Sequence, residues 1–228
     1  MKYTFTCLLT ISFFFAFSQK PDILVKFCPV ALFDDISFPT IQGGVEFRVS
    51  HKWTWYNELG IKYRKSRMDD ADTIFVRSGA FTGIKFKTEA RYYLQAFRKP
   101  PYTGLYVAAN LFFTKDNHNT QIDYYHGNPY PVMTDAFGVK KTTYGSNLLV
   151  GFQKYNSRPR GFGIEFYAGF GIRVRNVQTV GQQYNPHTDY FYPSVDPVFP
   201  DYRGEIDATP GTFVVLNFTT GFRVFYKL

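Results

Sequence analysis

The sequence predicts an all-β chain, eight antiparallel strands closed up-and-down into a transmembrane β-barrel. Three observations lead there. Apolar and polar residues alternate through eight segments, as in FGIEFYAGFGIRVR at 162–175, and a period of two marks strands with unlike faces. The polar face of those segments mixes glycine with both signs of charge, which suits the inside of a narrow barrel better than a surface in water. Short connections alternate with longer ones, the layout of barrels with tight turns at one end and loops at the other.

The N-terminus reads as a separate object. Lys2 is followed by the apolar stretch CLLTISFFFAF at 7–17, and Ala16-Phe17-Ser18 suits cleavage before Gln19. This predicts a signal peptide over 1–18 and a barrel domain over 19–228. The stretch is shorter than the roughly 20 apolar residues a spanning helix needs. Cleavage removes Cys7 and leaves Cys28 alone, so no internal disulfide is expected.

The first strand segment, 23–33 (ILVKFCPVALF), is apolar except for Lys26. Connection 34–39 leads to 40–49 (TIQGGVEFRV), and the tight turn Ser50-His51-Lys52 leads to 53–64 (WTWYNELGIKYR). A long connection, 65–81, precedes 82–97. There Ile84, Phe86, Thr88, Ala90, Tyr92 and Leu94 share one face, and Lys85, Lys87, Glu89, Arg91 and Tyr93 the other. The short connection 98–103 (RKPPYT) carries two prolines, which break strands. Segment 104–114 (GLYVAANLFFT) is followed by the long connection 115–141, then by 142–155 (TTYGSNLLVGFQKY). The short 156–161 (NSRPRG) leads to 162–177 (FGIEFYAGFGIRVRNV). The longest connection, 178–212, precedes the closing segment 213–227 (FVVLNFTTGFRVFYK). Both ends of the mature chain then fall at the short-turn end.

Which face is inside decides the function class. The polar face holds Gly44, Gly60, Gly145, Gly151, Gly163, Gly169, Gly171 and Gly221. Small residues make room for long ones inside a narrow barrel. The same face predicts a lumen charge network of Glu46, Arg48, Glu58, Lys62, Lys85, Lys87, Glu89, Arg91, Glu165, Arg173, Arg175 and Arg223. Trp53, Trp55, Tyr92, Phe97, Tyr102, Phe112, Phe113, Tyr155, Phe225 and Tyr226 lie near segment ends, which predicts aromatic girdles at two membrane interfaces. The competing reading is a soluble lipocalin-like binding barrel with the faces reversed, and its periodicity would be the same. Aromatics make up 20% of the chain and 26 of them are Phe, an excess that favours the lipid-facing arrangement. The net charge of +8 is scattered rather than gathered in a run, so no nucleic-acid partner is expected.

The runs GGVEFRVSHKWTWYNELGIKYR, EARYYL, GLYVAANLFF, GIEFYAGFGIRVR and NFTTGFRVFYKL resemble the small eight-stranded outer-membrane β-barrel proteins of Gram-negative bacteria. They are most similar to an uncharacterised barrel family, and more distantly to the OmpA/OmpX plan. The resemblance spans roughly 21–228. It implies an outer-membrane location with extracellular loops and periplasmic termini. It also implies outer-membrane lipid and the outer-membrane assembly machinery as partners. The assembly signal of such barrels usually ends in an aromatic residue, whereas this chain ends Tyr226-Lys227-Leu228. The resemblance implies no agreed activity.

Some barrels of this size modify lipid A with a His, a Ser and an acidic residue, so a lipid A-modifying enzyme is one alternative. Acyl transfer needs nucleophile and base within hydrogen-bond reach. His51, His118, His126 and His187 all read as connection residues, with none on a lipid-facing strand beside a serine. His118 and His126 share a connection with Asp116 and Asp123, but the spacing matches no defined metal site. The glycines at 161–171 lack nucleotide-loop spacing. No catalytic residue, metal or cofactor is expected. A small channel or ligand-uptake barrel is a second alternative, although eight strands leave an interior that side chains fill. Connection 178–212 holds Tyr184, Tyr190, Phe191, Tyr192, Phe199 and Tyr202 among five prolines. These form a candidate loop surface for an extracellular ligand or protein. The expectation is a non-catalytic barrel with a structural or surface-interaction role.

Overall fold

A computed structural model describes residues 23–33, 40–62, 82–94, 103–126, 132–155, 160–185, 187–191 and 209–228. The leader expected at 1–18, the connections at 34–39 and 65–81, and Phe97, Tyr102, Tyr192, Phe199 and Tyr202 lie outside the described residues. The strands are β1 (Ile23–Phe27), β2 (Thr40–Arg48), β3 (Trp53–Lys62), β4 (Thr82–Tyr93) and β5 (Gly104–His126). They continue with β6 (Val132–Tyr155), β7 (Gly161–Val180), β8 (Asp189–Phe191) and β9 (Gly211–Lys227). One 3-10 helix spans Pro29–Phe33. All nine strands pair antiparallel in one sheet that closes a ring. From β1 to β7 each strand pairs with the next, β7 pairs with β9, and β9 returns to β1 through Leu24↔Lys227 to Phe27↔Val224.

Strand character runs further than apolar periodicity in two places. β5 reaches His126 and β6 begins at Val132, so most of the expected connection 115–141 is a hairpin in register from Lys115↔Thr142 to Tyr125↔Val132. Its outward positions Lys115, Asn117 and Asn119 are polar, so the apolar signal stops while backbone pairing continues. His118 and His126 therefore stand on a strand, not in a connection. Within 178–212, β7 continues to Val180, and β8 is a ninth strand where eight were expected. β8 takes the edge of β5, His126↔Asp189 to Tyr124↔Phe191, above the last β4 pair, Thr82↔Asn117.

The first segment is shorter than its apolar run. β1 stops at Phe27 because Pro29 has no N–H to donate and a fixed φ that suits the 3-10 turn. The short helix lies against both β2 and β9. The Cys28 N–H still donates to the Gln42 carbonyl at 3.1 Å.

The ring is polar inside and apolar outside. Lys26, Glu46, Glu58, Glu89, Arg91, Glu165 and Arg223 are buried. Phe218 is 79% exposed, Phe162 76% and Leu216 72%, all on the outer face. A soluble protein has the opposite arrangement. On β5 the outward apolar positions run from Leu105 through Val107 and Leu111 to Phe113, and Lys115 follows. The row above the band, Lys115, Thr142, Asn176 and Thr212, is polar across four neighbouring strands.

Aromatic side chains split between the faces. Trp53 and Trp55 are exposed, with Tyr92 5.1 Å from the Trp53 ring. Tyr155 and Phe225 were expected in the girdle, yet both are buried inside, with ring centroids 6.3 Å apart. Phe112 also lies on the inner face, against Gly145. The alternation forces this, since Phe112 and Phe113, or Phe225 and Tyr226, cannot both point outward.

The inward aromatics explain several glycines. Tyr106 faces Gly151, Tyr167 faces Gly221 and Phe225 faces Gly163 across neighbouring strands. A Cβ at Gly151 would lie 2.2 Å from Tyr106 Cζ, and one at Gly221 2.2 Å from the Tyr167 hydroxyl. Each ring lies flat over a residue that has no side chain, which is how so narrow an interior takes in tyrosine.

Candidate functional site

The site is the charged interior. In β4 the run KTEARYY places Lys87, Glu89, Arg91 and Tyr93 on the inner face by alternation alone. β2 adds Glu46, β3 adds Tyr56 and Glu58, β7 adds Glu165, β9 adds Arg223 and β1 adds Lys26. Closure of the ring brings these together from positions far apart in sequence.

Glu165 is the hub. Its Oε1 accepts from Arg223 Nη1 at 2.7 Å, from Arg91 Nη2 at 3.1 Å and from the Tyr106 hydroxyl at 2.7 Å. Its Oε2 pairs with Lys26 Nζ, which also meets Glu46 Oε2 at 2.5 Å and Gln153 Oε1 at 2.6 Å. Arg91 reaches Glu46 at 3.0 Å and donates through Nε to Glu89 at 2.9 Å. Arg223 joins Glu58 at 3.0 Å and Glu89 at 2.7 Å. Lys87 meets Glu58 at 2.7 Å. Hydroxyls complete the set: Tyr56 donates to Glu58 at 2.6 Å, and Tyr93 and Thr54 to Glu46 at 3.0 and 2.5 Å.

Rings sandwich the guanidinium groups. Arg91 Cζ stands 4.4 Å from the Tyr56 centroid and 4.8 Å from that of Tyr106, and Arg223 Cζ stands 4.0 Å from that of Tyr167. Four carboxylates thus face four cations, which meets the condition for burying charge: pairing plus hydrogen bonds. The arrangement is a fixed plug of charge and aromatic rings across the interior.

Of the expected network, Glu46, Glu58, Lys87, Glu89, Arg91, Glu165 and Arg223 meet here. Arg48 does not. It sits beside the turn, where Nε donates to the Ser50 carbonyl at 3.4 Å and Nη2 lies 3.3 Å from His51. Lys62, Lys85, Arg173 and Arg175 also face inward but lie nearer the loop end. Sequence reasoning missed Lys26 as a member. Its signal was present, a lone lysine two residues after Leu24 in an apolar run. Tyr93 was placed on the charged face but not in the network, and Tyr56 and Tyr106 were missed because a tyrosine fits either face.

The histidines have other partners. His118 Nδ1 lies 3.3 Å from Asp116 in the interior, and His126 Nδ1 2.7 Å from Asp189. Asp123 accepts instead from the Thr134 hydroxyl at 2.6 Å. Among the described residues, no three His, Cys, Asp or Glu side chains converge as a metal site.

The candidate loop surface is partly internal. Tyr184 is buried with Ile122, Tyr124, Phe137, Val139 and Val177, and its ring lies edge-on to Tyr124 at 5.4 Å. Asp135 clamps that stretch by accepting the Gln183 and Tyr184 amides at 2.6 and 2.8 Å. Asp189 accepts from the Asn185 amide at 2.7 Å and the Thr188 hydroxyl at 3.1 Å. Burial pushes the Asp189 carboxyl up, but hydrogen bonds from Asn185, His126 and Thr188 outweigh it and hold the group below its ordinary value. Tyr184 is thus a packing residue, not a free contact. Tyr190 and Phe191 lie on β8.

Compared with family models, curated proteins and solved structures, the chain has no match.

Proposed function

We propose that the ring is an outer-membrane β-barrel of a Gram-negative bacterium, with extracellular loops and periplasmic termini. Its role is structural or one of surface interaction, without catalysis. One observation carries the reading: the buried face holds the charges and the exposed face is a continuous apolar band. In water that band would be a large aggregation-prone patch. Against lipid it is the expected outer surface. The nine residues from Leu105 to Phe113 span about 27 Å along the strand. After a tilt of about 40° this rises about 21 Å, a few ångströms short of an outer-membrane apolar band of about 25 Å.

The non-catalytic part is supported by the imidazole contacts among the described residues, where His118 lies against Asp116, His126 against Asp189 and His51 against Arg48. The plug around Glu165 speaks against conduction through this part of the interior. The partners that follow are membrane lipid and the barrel-assembly machinery.

Membrane fractionation of cells making the full chain tests the reading, with boiled and unboiled samples run on a gel. The expected result is a band that resists carbonate extraction and changes mobility on boiling. A carbonate-soluble band of unchanged mobility would place the apolar face against another protein or a soluble ligand and end the membrane reading.

A further inference from the structure

The outer face is not uniform. Most of its positions within the apolar band hold large apolar side chains, but Ala90 on β4 pairs with Ala109 on β5. The same row continues to Leu148 on β6 and Phe170 on β7, which stand out from the sheet at 63% and 62% exposure. Toward the turn, Trp53 and Tyr92 pair across β3 and β4. Two methyl groups therefore form the floor of a trough, with the Trp53 and Tyr92 rings as one wall and Leu148 and Phe170 as the other. The trough encloses about 910 Å³ and its lining is almost wholly apolar. Clefts of that size and character hold ligands.

Its depth and its mouth say which ligand. Tyr92 pairs with Val107, and Ala109 is the central residue of the stretch Leu105–Phe113. The trough thus runs from the short-turn end to the middle of the apolar band, which is the depth of one leaflet. At its mouth stands Lys52, the last residue of the turn Ser50-His51-Lys52. Lys52 Nζ donates to the Tyr92 hydroxyl at 3.3 Å and lies 5.6 Å from the Tyr92 centroid. The hydroxyl takes one of the three ammonium donors. The Lys52 carbonyl accepts the Tyr93 amide at 2.9 Å, which ties the turn to the end of β4.

A flexible hydrocarbon chain lying on alanine meets floor and walls together, and such contacts sum. A cation at the interface end attracts a negative headgroup. A second copy inserted the same way round would bring its own Lys52 to that mouth, like charge against like. We infer that the trough and Lys52 form a site for one anionic phospholipid of the leaflet at the short-turn end, with an acyl chain on Ala90 and Ala109 and the headgroup phosphate at Lys52. The inference rests on the membrane reading and names the lipid.

The test uses the two tryptophans of the chain, Trp53 and Trp55. Trp55→Phe leaves Trp53, in the trough wall, as the reporter. This variant of the full chain is placed in bilayers of phosphatidylcholine with brominated acyl chains, which quench indole fluorescence on contact. Unlabelled phosphatidylglycerol is then mixed in, and relief of quenching measures competition at the trough. The expected preference for phosphatidylglycerol is about fivefold over random mixing, the effect of one lysine near an anionic surface. Lys52→Gln should remove the preference, and Ala109→Phe, which fills the floor, should lower it. The boiling-dependent mobility of both should stay unchanged. Random mixing around Trp53 overturns the inference, and so does a preference that survives either substitution. Quenching that rises as the protein is diluted in lipid assigns the trough to a second copy and also overturns it. All three outcomes leave the membrane reading standing, because they require contact with lipid. Absence of any quenching by the brominated lipid overturns both.

Discussion

Glu165 receives Arg91, Arg223, Lys26 and the Tyr106 hydroxyl, so its loss takes one shared acceptor from three cations and a hydroxyl and unbalances the network. Removing one partner from a buried ion network costs about 3–5 kcal/mol. Glu165→Gln should therefore lower the unfolding free energy by about that amount, read as a fall in the urea midpoint of the boiling-sensitive band. An unchanged midpoint would show that the plug contributes little to stability. Gly221 gives a second residue-scale prediction. Its Cβ would overlap the Tyr167 hydroxyl, so Gly221→Ala should destabilise by about 1–3 kcal/mol, the usual cost of overpacking. Pairing it with Tyr167→Leu should recover part of the loss, and a strictly additive double mutant would refute the proposed contact. At this scale much was readable. Alternating Lys, Glu and Arg in β4 pointed inward on sequence alone. Arg48 was misplaced because its parity is right but its position beside the turn is not, and parity carries no information about depth.

Elements obey a different rule. The upper part of the β5–β6 hairpin stands beyond the apolar band and is held by its own small core and by the clamped residues 183–185 and 187–189. Asp135→Ala removes the acceptor of two amides. It should speed hydrogen exchange at Gln183 and Tyr184 by tenfold or more while leaving β7 and β9 protected, since local opening is independent of the ring. Exchange that rises everywhere would contradict that independence. Acidity acts on the same clamp. The Asp189 carboxyl sits below its ordinary value of 3.8 in the folded chain, so its contribution is complete above that value and is lost as pH falls through the lower folded value. Exchange at Asn185 and Thr188 should quicken in that acid range, and Asp189→Asn should abolish the pH dependence. The hairpin was hidden from sequence because its outer face turns polar at Lys115 and its inner face opens with Asp116 and His118 before Ile122 and Tyr124 follow, so the apolar alternation is broken where backbone pairing continues. The end of β1 was hidden for another reason. The apolar run 23–33 continues past Pro29, and composition outweighed the one residue that cannot donate a hydrogen bond.

At the scale of the molecule, alternation and the spacing of connections were enough for an antiparallel all-β chain. The closure of the sheet into a ring came from the register of every strand with its neighbour. The inversion of the faces was legible from the glycines, because a glycine facing water has no packing reason and one beneath a tyrosine does. The seam is the least supported join: β1 contributes five residues and meets β9 through four pairs, whereas β7 and β9 pair from Gly161↔Lys227 to Val177↔Gly211. Val25→Pro removes a backbone donor at that seam. It should lower the temperature at which the mobility shift is lost by more than the same change at the exposed Val214, near the loop end of β9. Equal effects would mean the seam is no weaker than its surroundings.

The pairing of β1 with β9 also has a temporal consequence. The first of the described strands pairs with the last, so the ring can close only once β9 has been made. Until then the growing polypeptide is an open sheet with two bare edges and an apolar flank, the kind of species that sticks to its neighbours. A chain cut short of β9 would leave β1 and β7 without that partner and keep both edges bare.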